Sequence, residues 1–382
     1  MIETSRRRVP LALGAFGFLN LSSALARARR VEGVKVIVVG AGMSGLSAGQ
    51  SARELGANVS VLEARDRVGG RIWTDRSLGV PVDLGASWIH GPMMNPITRL
   101  ADKVQADRHR TDFEDALAYG PGGKALPESR LVDASERTYE IFEEVAEGAK
   151  SGETMARAIQ RFFPNFLSDS LHRALASAIA EFDGGAPLDQ LSTIPDEGTD
   201  EYWGSDVLFP DGYDGVLAAL TPNLDIHLSQ VVESIEWNES GVEVATKSKT
   251  WRGDFCVVTL PIGVLKSKSV RFGPDLPIEL TEAIDRIGAG LVNKVALRFE
   301  RAFWDDAQFI FSAEDSARFP LFFNQNIFQP KGNVLVNYGL GNFAEVVDKR
   351  PIAELEAELM KRLKEIYGTS AIDPVGSVAS SW

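Results

Sequence analysis

Cysteine is almost absent from this 382-residue chain, with Cys256 its single thiol. One cysteine excludes an internal disulfide framework and any site built from several thiolates; its run, "FCVVTL", reads as a buried strand. Histidine is scarce as well, four residues without H-x-x-x-H or related spacing, so there is no metal-binding signature. Positive charge is in deficit, 40 Lys and Arg against 53 Asp and Glu, a formal net charge of −13. That balance argues against a nucleic-acid partner, whose phosphates demand basic patches, and suits long-range attraction of polycationic small molecules. Repeats and low-complexity tracts are missing.

What the chain does have begins with an unusual first segment. "SRRRVPLALGAFGFLNLSSALA" places Arg6 to Arg8 before an apolar stretch from Pro10 to Leu21, followed by Ala24 and Ala26 in A-x-A spacing. The stretch is too short to span a bilayer and reads as a signal peptide over residues 1–30, with a twin-arginine-like start. The expectation is a periplasmic or secreted protein without stable membrane insertion; a basic cytoplasmic tail is the alternative.

The strongest signal follows at residues 36–71, "VIVVGAGMSGLSAGQSARELGANVSVLEARDRVGGR". Val36 to Val39 is a β-branched run of the kind that forms a buried parallel strand. Gly40, Gly42 and Gly45 then make G-x-G-x-x-G, with Ser44 inside it, where the strand must turn into a helix. That helix is expected to end near Leu55, before Gly56. The glycines permit the tight turn, close approach to a pyrophosphate and close helix–sheet packing, and the helix N-terminus offers free N–H donors. A second strand, Val59 to Leu62, delivers Glu63 where a ribose-binding carboxylate belongs. Downstream, Arg65, Gly69, Gly70 and Arg71 exceed what a nicotinamide-binding unit needs. They suit a larger dinucleotide, with Arg71 able to grip phosphates bidentately.

This stretch resembles the signature of the flavin amine oxidases. The likeness continues through "VDLGASWIHG" (82–91), "LSQVVESIEW" (228–237), "VVTLPIGVLK" (257–266) and "NKVALRFERAFW" (293–304), in wording nearest the polyamine oxidase branch. It implies FAD as cofactor, an amine substrate and O2 as electron acceptor. The fold it implies is α/β: a discontinuous Rossmann-type FAD-binding domain from residues 31–96 and 205–266, and a substrate domain of helices plus a mixed β-sheet from 97–204 and 267–382. By the same resemblance Gly85, Ala86, Ser87 and Trp88 lie against the flavin ring system, and the backbone of Val232 meets the adenine half. Lys294 matches the lysine that reaches flavin N5 through a water, and His90 matches a histidine beside the substrate amine. Glu181 in "AEFDGGAPL" matches a cavity carboxylate for a distal ammonium, and Tyr213 in "DGYDG" stands near the re-entry to the flavin domain.

The reaction implied is hydride transfer from the amine to flavin N5. Imine hydrolysis to an aldehyde and an amine follows, and O2 is reduced to H2O2. Monoamine or L-amino-acid oxidation and flavin binding without turnover are the alternatives. Amino-acid oxidases carry an arginine shortly after the glycine pair, where this chain has Ser87 and Trp88. The chain ends at "VGSVASSW", where the family begins its closing return to the flavin; the expectation is a C-terminally truncated enzyme that by itself holds FAD poorly and leaves an apolar sheet edge open.

The remaining pattern predicts helices through most of 97–200, strands over "VVESIEW", "GVEVAT" and "DFCVVTL", and a further strand set from 293 to 340. A helix over 351–366 then ends at Gly368.

Overall fold

The structure is a computed structural model and describes residues 32–193, 202–314 and 318–382. The expected signal peptide lies outside the described residues. Lys35–Val39 (β1) is buried from Val36 onward and forms an interior strand. It pairs in parallel with Asn58–Leu62 (β2) on one side and Phe255–Val258 (β13) on the other. Asp225–His227 (β9) adds parallel to β2, giving the order β13-β1-β2-β9. Helix Met43–Glu54 makes the crossover between β1 and β2, with Leu46 and Gly49 turned to the core. On the outer edge, Phe255 is 62% and Val258 39% exposed. Cys256, also on this edge strand, is half-buried rather than buried, and desolvation pushes its thiol up to about 12.

A second sheet has the order β12-β11-β10-β14. Val232–Asn238 (β10) and Gly241–Thr246 (β11) form the expected hairpin, its turn held by Ser240 N–H donating to Asn238 Oδ1 at 2.8 Å. Thr250–Gly253 (β12) continues it. Arg271–Gly273 (β14) pairs parallel to β10, which carries this layer past the boundary expected at residue 266. Lys266 extends it further. Its ammonium donates to the carbonyls of Ile284, Asp285 and Ile287 at 3.1, 2.7 and 2.8 Å, at the end of helix Ile278–Arg286, where a cation complements the helix dipole.

The largest sheet runs β19-β15-β18-β17-β16-β7. Its strands are Gly376–Ala379 (β19), Asn293–Arg298 (β15), Val334–Gly339 (β18), Leu321–Asn324 (β17), Phe309–Ser312 (β16) and Ala116–Tyr119 (β7), antiparallel except for β16 against β7. Strand alternation sends Val295 and Leu297 to one face. There they pack with Leu355, Leu359 and Leu363 of helix Ile352–Tyr367 and Phe343 of helix Gly341–Lys349. Ala296 turns the other way, toward Val82, Leu84 and Trp88. Lys294 shares the parity of Ala296, so the pleat alone aims it at that segment.

The stretch 97–200 is less helical than expected. Helices Pro96–Lys103, Glu128–Glu147, Met155–Phe162 and Ser170–Ala176 form, the last passing into a π-helical turn over Ser177–Glu181. His109–Arg110 (β6) and β7 are strands instead, because each finds a partner far along the chain. Two small sheets complete the set: Thr74–Asp75 (β3) with Val82–Asp83 (β4), and Trp88–Ile89 (β5) and β6 on either side of Val207–Leu208 (β8). "DGYDGVLAAL" becomes a 3-10 turn over Tyr213–Ala219. Among the described residues, no helix is long and apolar enough to cross a membrane.

Candidate active site

The first half of the site is a glycine cradle. A Cβ on Gly45 would stand 1.9 Å from the Gly40 carbonyl oxygen, so the helix can approach the β1 turn only without a side chain there. The helix begins at Gly42 with no side-chain cap and no acid in its first turn, which leaves its N–H groups and positive dipole end to an anion. Ser44 is exposed on that turn. Gly42 bridges to Gly69, and Gly70 faces it closely enough that a Cβ would meet the Gly42 Cα at 3.4 Å.

Glu63 is buried, and each carboxylate oxygen holds a backbone amide: Oε2 accepts from Ala41 N–H at 2.8 Å and Oε1 from Arg65 N–H at 2.9 Å. It thereby ties the first glycine turn to the chain that leaves β2. Arg65 itself is exposed, its guanidinium 5.7 Å from the Trp382 ring. Arg71 is exposed too, and its backbone carbonyl receives the Ala86 amide at 3.1 Å. Val232 is buried at the start of β10, in one cluster with Ile37 and Leu62 beneath the Glu63 turn.

Arg67 was not among the residues expected here. It donates to the carbonyls of Val68, Gly70 and Ile72 at 3.2, 3.0 and 3.1 Å and lies 5.0 Å from the Trp73 ring, so it braces the Gly69–Gly70 turn. Burial, and then Arg65 nearby, lower its pKa. The excess of arginines in "EARDRVGGR" was the available signal, but spacing does not say which of them turns inward.

The second half is built on Lys294. Its side chain is buried, and Nζ donates to the Asp83 carbonyl at 2.9 Å, the Gly85 carbonyl at 2.7 Å and Ser87 Oγ at 2.6 Å. Three acceptors match the three protons of an ammonium. The rings of Tyr338 and Trp88 lie 5.4 and 5.8 Å from Nζ. Burial pushes the ammonium down to about 8, with the charge of Asp83 opposing the shift. The loop that receives it is fixed by Gly85, where a Cβ would sit 1.9 Å from the Arg71 carbonyl oxygen. Trp88 is buried against Phe323, Phe182 and Tyr338, and its indole Nε1 has no hydrogen-bond partner. A narrow cavity opens among Asp83, Ser87, Lys294, Phe323, Phe328 and Tyr338.

The other expected residues stand outside this cavity's lining. His90 is 68% exposed and bonded through Nδ1 to Asp206 Oδ2 at 2.5 Å, which raises its pKa. Glu181 accepts from Ser177 Oγ at 2.6 Å and from the Leu188 amide at 3.0 Å, and lines a separate groove with Arg173 and Arg318. Tyr213 is buried in the dinucleotide-side core, stacked on Phe209 at 4.8 Å, and burial pushes its phenol up to about 12. Its backbone amide, not its ring, points to the site, donating to Asp83 Oδ1 at 3.0 Å.

FAD fits these residues. The glycine cradle and uncapped helix suit its pyrophosphate, Glu63 keeps free lone pairs for ribose hydroxyls, and the unpartnered Trp88 indole borders the loop that the resemblance gives to the flavin ring.

Fold and site together define a dinucleotide-binding oxidoreductase with a buried lysine at the junction of its sheets. The chain belongs to the flavin containing amine oxidoreductase family, whose model matches residues 43–382, and it is an FAD-dependent amine oxidase of the polyamine oxidase branch. It is similar to probable polyamine oxidase 4 of Arabidopsis thaliana, 31% identical over 370 residues covering 91% of this chain and 74% of that protein. Polyamine oxidase 3 of Oryza sativa subsp. japonica is 30% identical, over 93% of this chain and 77% of the relative. Among solved structures, a putrescine oxidase with putrescine bound superposes with a TM-score of 0.69 at 22% identity, over 91% of this chain and 85% of that one. Cyclohexylamine oxidase from Brevibacterium oxydans IH-35A gives 0.68 at 20% identity, over 91% and 84%. At those identities the likeness shows the fold, α/β with a Rossmann-type FAD-binding domain and a substrate domain of helices and mixed sheet.

Proposed function

We propose that this enzyme oxidises a polyamine at a C–N bond and that Lys294 serves the reaction directly. Bound FAD supplies the acceptor for the hydride that leaves the carbon next to nitrogen. The amine must arrive with a free lone pair, and the apolar surroundings of Phe323, Phe328 and Tyr338 favour the neutral form by desolvation. Loss of hydride leaves an iminium, which sheds an N–H proton to give the imine; water adds to its carbon, and the C–N bond breaks to give an aldehyde and an amine. O2 takes up the two electrons and two protons and leaves as H2O2.

Lys294 is suited to exchange a proton with a water that takes the place of one of its three protein acceptors, because its ammonium is buried yet titrates within reach of neutral pH. The observation that carries the reading is this ammonium, set among the Asp83 and Gly85 carbonyls and the Ser87 hydroxyl. The polyamine assignment is supported by the named relatives and by the surplus negative charge, which steers polycations. His90 and Asp206, paired at the surface, would meet a substrate outside the Lys294 cavity.

The test is peroxide release and aldehyde formation across polyamines, monoamines and L-amino acids, with Lys294→Met compared in stopped-flow reduction and reoxidation. Turnover confined to L-amino acids would overturn the substrate class. Wild-type rates in both half-reactions of Lys294→Met would remove the lysine from the mechanism.

A further inference from the structure

The side chain of Asp83 belongs to none of the roles assigned so far, yet this residue joins both halves of the site. It stands opposite Thr74 in the β3–β4 pair, and Thr74 Oγ1 donates to Asp83 Oδ1 at 2.5 Å. The Tyr213 amide donates to Oδ1 at 3.0 Å and to Oδ2 at 3.3 Å, from a turn 130 residues away. That turn is pressed close, since a Cβ on Gly212 would lie 2.4 Å from Thr74 Cγ2. The backbone carbonyl of the same aspartate accepts from Lys294 Nζ at 2.9 Å. One residue therefore holds the lysine through its main chain and the dinucleotide-side turn through its side chain.

We propose that Asp83 is the positioning residue for Lys294, its carboxylate fixing the loop that receives the ammonium and adding a negative charge to its surroundings. The inference rests on the role of Lys294 given above and deepens it.

The charged and titratable groups around the pair single out this partnership. Arg76 and Asp214 face Asp83 from the turn, but they satisfy each other through two hydrogen bonds at 2.7 and 2.8 Å. The phenols of Tyr213 and Tyr338 feel the Asp83 charge, and burial holds both protonated well past neutral pH. Lys294 remains the cation for Asp83 to balance. Burial raises the Asp83 carboxyl to about 6, against the Thr74 and Tyr213 hydrogen bonds, and lowers Lys294 to about 8. Between those values both groups are charged, and each helps the other stay so. Neutralising Asp83 makes the Lys294 proton easier to lose.

The experiment is an NMR titration of the Lys294 Cε resonance in isotopically labelled protein, assigned by its loss in Lys294→Met. In the wild type the resonance should show its main transition near 8 and a smaller inflection near 6 as Asp83 titrates. Asp83→Asn keeps an oxygen for Thr74 and Tyr213 but removes the charge. It should erase the lower inflection and move the main transition down by about one unit. A role in loop packing alone would leave the midpoint where it is. Should the variant fail to fold, the wild-type curve decides: a lone transition without the lower inflection overturns the proposal. An unshifted midpoint in folded Asp83→Asn overturns it as well, while leaving the Lys294 reading intact. Unchanged oxidase turnover in Lys294→Met instead overturns the lysine's role, and with it the catalytic meaning of Asp83.

Discussion

Lys294→Met removes a titration that stores free energy in the fold. In an unfolded chain the lysine carries its ordinary pKa of 10.5, and in the folded protein burial brings it to about 8. The folded value is the lower one, so between the two the unfolded chain binds more protons. Stability then rises with pH across that window and is lost again as pH falls through the folded pKa. The shift corresponds to roughly 3 kcal/mol, at about 1.4 kcal/mol per unit. The substitution also leaves the Asp83 and Gly85 carbonyls and Ser87 Oγ without their donor, which costs about 1–3 kcal/mol for each that stays dry. These two effects oppose each other near neutral pH, and three acceptors left dry, at about 1–3 kcal/mol each, at least offset the gain from removing the buried charge, so the variant is no more stable than wild type there. The pH dependence separates them, because the acceptors stranded in the variant do not titrate while the lysine of the wild type does. Urea unfolding of both proteins from neutral pH to above 10 should show wild type gaining about 3 kcal/mol on the variant across the window. Curves that stay parallel would refute the buried, down-shifted ammonium.

Gly45→Ala should lose FAD and destabilise the protein by at least about 1–3 kcal/mol, because its Cβ would meet the Gly40 carbonyl; flavin absorbance per chain and denaturant midpoints check it. Glu63→Ala strands the amides of Ala41 and Arg65 at about 1–3 kcal/mol each, and gel filtration should strip its FAD; full occupancy afterwards counts against the assignment. His90→Ala should keep its flavin and a near-normal kcat while altering KM for the amine, since the ring is exposed and bonded to Asp206; a collapse of kcat at unchanged KM would place His90 at the chemistry instead. The His90–Asp206 pair should also add stability below the ordinary histidine pKa of 6.5 and lose it as pH rises through the raised folded value, seen as a thermal midpoint difference between wild type and His90→Ala that is full below 6.5 and fades as pH rises beyond it.

The parts legible in the sequence are those whose determinants are local. The β1 turn, its helix and Glu63 follow from consecutive residues, and the β10–β11 hairpin follows from its Asn238–Gly241 turn. Lys294 is legible only through the surrounding motif, because a lysine on a strand ordinarily faces solvent. Pairings between distant segments were not legible: β7 joins β16 and β14 joins β10 only once the sheets assemble. Asp83 is not legible in the sequence for the same reason, as its contacts depend on Thr74, Tyr213 and Lys294 arriving from three separate stretches. The helix Gly341–Lys349 was hidden behind a strand-like "NVLVNYGL" that ends directly against it.

The central claim is that this chain binds FAD and uses it to oxidise an amine. The direct measurement is the visible spectrum of purified protein with FAD bound, mixed anaerobically with a panel of polyamines, monoamines and L-amino acids, then exposed to air. The account predicts loss of the oxidised-flavin absorbance with a polyamine, one equivalent of amine per flavin, and full recovery with release of H2O2 on admitting O2. A spectrum that stays oxidised with every amine, in protein carrying a full complement of flavin, would contradict it.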